Sequence, residues 1–286
     1  MNTHQISRID ISPEVVDCIV FWTKNPESMM NKLDRLNDYK FYFQFTLTGY
    51  GKDIEPCLPN KREVIIPVFQ RLSSLIGKEK VIWRYDPIII TNKYTQDYHI
   101  KAFHEIATEL NGYCDRVVIS FVDFYAKIKE NLKIMNALEI ENQEVQKFAS
   151  RLTKIAKDNN MQIAACAEKI DLSSCGIQQS NCIDRTLIEQ IVGYPIKAEK
   201  DKNQRRECGC IESIDIGAYD SCLNGCKYCY ANHNGITVKE KVALYDKNSP
   251  LLCGKVGKKD NIYVRKAASL IEGQISMFNY NKIEMR

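Results

Sequence analysis

Val81-Ile82-Trp83-Arg84-Tyr85 is a run of β-branched and aromatic residues without clean polar alternation, closed by Asp86-Pro87. Such a run reads as a strand covered on both faces, as in a parallel sheet. Similar runs lie at Cys18–Thr23, Phe41–Leu47, Val117–Val122 and Gln162–Ala167, with a sixth candidate at Ser213–Ala218. Amphipathic stretches separate them: Pro26–Leu36, Lys61–Leu75, Asp97–Leu110, Glu141–Asn159 and Asp184–Val192. Strand–helix units returning roughly every 40 residues predict an α/β chain, a parallel β/α barrel or partial (TIM-like) barrel with a C-terminal cysteine-rich extension. Residues 1–200 form the barrel-like domain on this reading. Residues 201–235 supply its last strand and a cysteine loop that completes it. Residues 236–286 follow as an extension with a short helix near Tyr263–Glu272 and a flexible tail.

Polar residues gather where these strands end: Lys24 and Asn25, Gln44 and Thr48-Gly49-Tyr50-Gly51, Arg84 and Asp86, Ser120 and Asp123, Glu168 and Lys169. Any strand meets polar residues on entering a loop. Five in series fit the shared C-terminal rim where β/α barrels carry their sites. Lys24, Arg84, Asp86 and Glu168 are therefore candidate catalytic residues, and Gln44 and Gly49 candidate cofactor contacts. Glu168 could bind a hydroxyl or an amino group, or pair with Arg84 or Lys24. Gly49 and Gly51 could admit a ligand to the backbone or only shape a turn. Trp22 and Trp83 take equivalent places in two strands, where core packing is the default and stacking on an adenine the rival.

The chain has 286 residues, 44% of them apolar, and a net charge of +4. That supports a sizeable core and gives no strong argument for nucleic acid. The first residues lack the apolar region of a signal peptide, and no apolar run approaches the ~18 residues of a membrane span. A cytoplasmic protein is expected. Its twelve cysteines are then better read as metal ligands than as disulfides. Nine of them, from Cys166 to Cys253, fall in the second half.

The densest group is Cys222-Leu223-Asn224-Gly225-Cys226-Lys227-Tyr228-Cys229, a C-x3-C-x2-C pattern with an aromatic before the last cysteine. Three thiolates on one loop can each hold one iron of a four-iron cluster and leave the fourth iron open. The pattern resembles the signature of the radical S-adenosylmethionine (SAM) superfamily. The resemblance implies a [4Fe-4S] cluster on Cys222, Cys226 and Cys229, SAM on the open iron, Tyr228 packed beside the cluster, and an electron donor such as flavodoxin or ferredoxin. In that superfamily the loop usually follows the first strand, whereas here it lies near the chain's end. A zinc knuckle is the rival reading, giving a cysteine-rich zinc protein without radical chemistry.

Cys175, Cys182, Cys208 and Cys210 could form a second site, for another iron–sulfur cluster or a zinc ion. Buried cysteines also serve as small hydrophobes. Lys202-Asn203-Gln204-Arg205-Arg206 could hold an anion or be an exposed basic loop. Gln274-Ile275-Ser276-Met277-Phe278 resembles the pentapeptide with which bacterial proteins dock on the DNA sliding clamp, which would direct the chemistry to DNA. The substrate class, small molecule or nucleic acid, stays open.

Taken together, Phe21-Trp22-Thr23-Lys24-Asn25-Pro26, Trp83-Arg84-Tyr85-Asp86-Pro87, Cys182-Ile183-Asp184, Asp215-Ile216-Gly217 and the cysteine loop through Tyr230-Ala231-Asn232 resemble a bacterial family catalogued as a domain of unknown function. Its C-terminal cysteines are similar to the radical SAM cluster loop. Its members usually carry a further segment before the equivalent of Ile6-Ser7-Arg8, so Met1 is expected to be a misassigned start or the edge of a fragment.

Overall fold

A computed structural model describes residues 5–122 and 128–271. Its centre is a six-stranded parallel sheet in chain order: β2 (Ile19–Thr23), β3 (Phe41–Thr46), β4 (Val81–Ile88), β5 (Arg116–Phe121), β6 (Gln162–Cys166) and β7 (Gln178–Ser180). A separate parallel pair joins β1 (Gln5–Ile9) to β8 (Asn261–Arg265). The α/β class and the parallel pairing are as expected. Among the described residues the sheet is open, with β2 and β7 at its edges, and no barrel closes.

Three expected elements differ. Ser213–Ala218 has no regular secondary structure, so residues 201–235 add no last strand. The sixth strand is Gln178–Ser180, too short and too polar to stand out in the sequence. The stretch near Tyr263 is strand β8 rather than a helix. A helix, α7 (Gly235–Ala243), instead follows Asn234, whose side chain caps it by accepting from Ile236 N and Thr237 N.

Strand alternation gives the sheet two different faces. Phe43, Phe45, Val81, Trp83, Tyr85, Val117, Ile119, Ile163 and Ala165 point to one side and form the main core. It is covered by α2 (Ile66–Ile76), α3 (Gln96–Leu110) and α5 (Asn142–Asp158). These helices form where apolar residues recur at helical spacing, as in Val145, Phe148, Ala149, Leu152 and Ala156 of α5. Thr95 caps α3 by accepting from Tyr98 N, and Gly77, at φ 96°, ends α2. The short α1 (Glu27–Met30) follows β2 and adds Met30 to the main core, and α4 (Lys129–Ile134) contributes Leu132 to a separate small cluster.

The other face is apolar low down and polar higher up. Tyr42, Ile82 and Val118 pack under α6 (Arg185–Val192), which Asp184 caps by accepting from Leu187 N. One pleat further along the same strands stand Gln44, Arg84 and Ser120. α6 thus covers the lower part of this face, while the C-terminal strand ends carry polar groups.

The two tryptophans part company. Trp83 is fully buried, stacked on Phe103 at 4.8 Å, with its Nε1–H donated to Leu47 O at 2.8 Å. Trp22 is 51% exposed, so core packing is not its role. Trp83→Ala should cost about 3–5 kcal/mol in denaturant unfolding. Trp22→Ala should stay within about 0.5 kcal/mol. Equal losses at both positions would contradict this assignment of faces.

Candidate functional site

The C-terminal rim of the sheet is organised by a carboxylate that sequence reading missed. Glu55, 1% exposed, sits in the loop after β3. Its carboxylate accepts from Lys24 Nζ at 2.8 Å and from Thr48 Oγ1 at 3.1 Å, and it pairs with Lys61. Lys61 opens a π-helical turn, Lys61–Ile65, whose first N–H groups are capped by Asn60. Such turns are rare and often mark functional sites.

The cysteine loop docks on this group through Tyr228. The Tyr228 hydroxyl donates to Glu55 Oε1 and accepts from Lys24 Nζ at 2.6 Å. Its ring is buried with Tyr50, Ile54, Ile89, Tyr94, Ile128 and Leu132. Backbone bonds add to the contact: Lys227 N to Ile54 O at 3.0 Å and Cys57 N to Asn224 O at 3.3 Å. Gly225, at φ 66°, passes so close to residues 56–57 that a Cβ there would lie 3.3 Å from Pro56 Cγ and 3.6 Å from Cys57 Sγ. Exposed Cys57 is therefore a fourth thiol beside the loop, and sequence separation hides it.

The loop is also tied at its ends. Asp220 N donates to Ala231 O at 3.0 Å, and the Asp220 carboxylate accepts from His233 N and Nδ1, the latter at 2.8 Å. Hydrogen bonds from His233 hold the Asp220 carboxyl below its ordinary pKa. Asn232 Nδ2 donates to Cys222 O at 2.8 Å. Asn232 Oδ1 is buried without a partner among the described residues.

A second polar group lies across the rim. Arg84 binds Asp86 through Nε at 3.0 Å and Nη2 at 2.5 Å, and Ser120 Oγ donates to Asp86 Oδ1. Arg84 Nη1 also reaches Cys182 Sγ at 3.0 Å and Gln44 Oε1 at 3.4 Å. Gln44 Nε2 and Tyr42 Oη both donate to Cys182 O, at 2.9 and 2.6 Å. Glu168 Oε1 accepts from Phe121 N at 2.7 Å, joining the ends of β5 and β6.

Of the expected residues, Lys24 and Tyr228 therefore meet at one group, and Gln44, Arg84 and Asp86 at another. Gly49 serves packing: a Cβ there would lie 2.6 Å from Ala102 Cβ on α3. Cys175 is not with Cys182, Cys208 and Cys210. It packs against the main core, and its thiol donates to Gln146 O at 3.4 Å. Cys166 takes its place in that group. Lys202 pairs with Glu199 at 3.1 Å, and the cleft they line with Arg185, Lys200 and Asp201 carries both signs of charge, which does not make an anion site. Asp123 and Gln274–Phe278 lie outside the described residues.

A cluster on Cys222, Cys226 and Cys229 agrees with the donor chemistry. Burial pushes the Cys226 thiol up to about 11; the Lys24 ammonium opposes this, and the nearby Cys222 and Cys229 add to it. Lys24, Cys222 and Cys229 thus act on Cys226 through their charges. Among the described residues, no three His, Cys, Asp or Glu side chains could hold a metal ion as they stand. Thiolates around one zinc lie about 3.8 Å apart, given Zn–S bonds of about 2.3 Å in a tetrahedron. Ligands of a four-iron cluster each take a separate iron and need not converge on one point.

The lysine ammonium groups also decide the state of Glu55. Burial alone would raise its pKa, but Lys24 and Lys61 overcome this and hold it at about 2. Burial lowers the Lys61 pKa against the pull of Glu55, so desolvation offsets part of the pair's gain. A depressed carboxyl pKa gives stability that is complete above the unfolded value of about 4.5 and is lost as pH falls towards 2, at most about 3 kcal/mol. Unfolding free energy should decline through that window in the native chain. Glu55→Gln should remove that component of the pH slope and cost about 3–5 kcal/mol at neutral pH by stranding two ammonium groups. An unchanged slope in the variant would refute this role.

No helix among the described residues is long and apolar enough to cross a membrane. No curated protein and no solved structure matches the chain. A family model does match, over residues 1–231, a span that runs from the sheet through the last cysteine of the loop. The chain belongs to that family, a domain of unknown function, DUF1848.

Proposed function

We propose that this protein is a radical SAM-like iron–sulfur enzyme of the cytoplasm, with the open six-stranded sheet serving as a partial barrel. The observation that carries the reading is the docking of a C-x3-C-x2-C loop, by Tyr228, onto the C-terminal rim of a parallel sheet. That rim is where β/α enzymes assemble their sites. Cys222, Cys226 and Cys229 would hold a [4Fe-4S] cluster and leave one iron for SAM. When bound, the cluster supplies one electron, taken from a flavodoxin or ferredoxin, for cleavage of SAM and radical attack on a C–H bond.

The chain's own residues position and shield. Tyr228 and Glu55 fix the loop, and the surrounding aromatic side chains exclude water from its inner side. Lys24 offsets negative charge beside Cys226. Asn232 Oδ1 is an acceptor ready for a ligand N–H or O–H group. Arg84 and Asp86 pair with each other, which leaves the partly exposed Asp86 to meet a polar substrate, with exposed Trp22 available for stacking. The substrate class is open. Docking on the sliding clamp through Gln274–Phe278 would select DNA.

Anaerobic reconstitution should yield about four irons and four sulfides per chain bound at this loop. The reduced protein should give an EPR signal that SAM perturbs, and Cys226→Ala should abolish it. Tyr228→Phe should retain the iron but weaken the SAM-induced change, because the loop loses its anchor. Zinc at the loop with no iron would replace this reading with that of a cysteine-rich zinc protein.

A further inference from the structure

Two thiols that the reading above does not use stand close to bonding distance. Cys166 ends β6 and pairs with Ser180, the last residue of β7; Cys182 follows two residues later. Their Sγ atoms are 3.1 Å apart, across 16 positions of chain. A disulfide bond measures about 2.05 Å, so about 1 Å of approach would join them. Both residues are half-buried rather than sealed in the core.

The surroundings fix the Cys182 backbone and crowd its sulfur. Tyr42 Oη and Gln44 Nε2 donate to the Cys182 carbonyl at 2.6 and 2.9 Å. Arg84 Nη1 donates to Cys182 Sγ at 3.0 Å. Cys208 and Cys210, 8% and 5% exposed, pack against the pair. The Cys210 sulfur is already engaged by the Ile183 N–H at 3.3 Å. Of its thiol neighbours, Cys166 is therefore the one best placed to bond to Cys182.

The bland alternative is a set of small hydrophobes. Cys114 shows how that looks here: one buried thiol in the main core, 3.9 Å from Met161 Sδ. A metal centre is not the reading, because no three His, Cys, Asp or Glu side chains among the described residues could hold an ion as they stand. Two thiols in contact need no third ligand. Contact with Cys166 pulls the Cys182 pKa down, contact with Cys210 and burial push it up, and it stands at about 11. The contact with Cys182 and burial both push the Cys166 thiol up. Thiols this weakly acidic exchange slowly at neutral pH, which suits a lasting staple rather than fast turnover.

We propose that Cys166 and Cys182 form a redox-responsive dithiol that exchanges with small soluble disulfides and closes to a disulfide between the end of β6 and the segment after β7. The Cys182 thiolate, beside the Arg84 cation, attacks one sulfur of the small disulfide and releases one thiolate. The Cys166 thiolate then attacks Cys182 Sγ and releases the second. Two electrons pass from the protein to the small disulfide, and the two thiol protons end on the two released thiols. Excess thiol reverses the exchange. Oxidation takes the Cys182 sulfur from Arg84, which keeps Asp86 and Gln44. It also ties down β7, an edge strand of three residues that pairs only with β6. The proposal does not depend on radical chemistry at the Cys222–Cys229 loop.

The test treats the full chain, reduced and then freed of reductant without oxygen, with excess oxidised glutathione. Free thiols are blocked, and tryptic peptides are mapped by mass without reduction. The peptide of residues 158–169 should appear joined to that of residues 170–185, two hydrogens lighter than their sum, and dithiothreitol should part them. Residues 170–185 also include Cys175, so the link should persist in Cys175→Ser and vanish in Cys182→Ser. Cys175→Ser leaves Cys182 as the only thiol of that peptide, so its map decides the pairing even if Cys182→Ser misfolds. Three results would overturn the proposal: both thiols still free after incubation, glutathione retained on either one, or a link from either peptide to residues 207–227 instead.

Discussion

A carboxylate buried between two lysines holds the C-terminal rim of the sheet together. Without charge partners, Glu55 could not remain ionised at 1% exposure. Lys24 comes from the end of β2, Lys61 from a π turn before α2, and Tyr228 from the other end of the chain. One side chain therefore fixes the loop after β3, the edge strand β2 and the cysteine loop relative to each other. A buried pair like this adds modest net stability while making each partner costly to lose. It works chiefly as a positional constraint.

The two faces of the sheet differ in how far helices cover them. Three helices cover the Trp83 face, and α6 covers only the lower part of the other. Upper positions on that second face carry Gln44, Arg84 and Ser120, whose hydrogen bonds run to each other's neighbours and to the Cys182 carbonyl. Apolar and polar rows thus lie one pleat apart on the same strands.

The fold was readable in the sequence where its signals were local. β3, β4 and β5 are runs such as Phe41–Thr46 whose β-branched and aromatic content speaks for itself, and α3 and α5 show clear helical spacing. β7 has three residues, Gln-Gln-Ser, held by pairing with β6 and without intrinsic strand character. Ser213–Ala218 shows the reverse: apolar alternation that finds no partner strand stays irregular. At the site, Lys24, Arg84, Asp86 and Tyr228 were legible from strand ends and cysteine spacing. Glu55 was not, because its importance rests on contacts with residues 31 and 173 positions away. Cys166 replaced Cys175 for the same reason: strand pairing, which spacing does not reveal, decides which thiols meet.

The backbone bond from Asp220 to Ala231, with His233 seated on the Asp220 carboxylate, ties the two ends of the cysteine loop to each other. A segment that holds its own shape needs only a docking point, which Tyr228 provides. Such a segment is portable: it can be presented to a sheet from either end of a chain. Its position after the sheet is thus a matter of wiring, since the bonds that shape the loop lie within it.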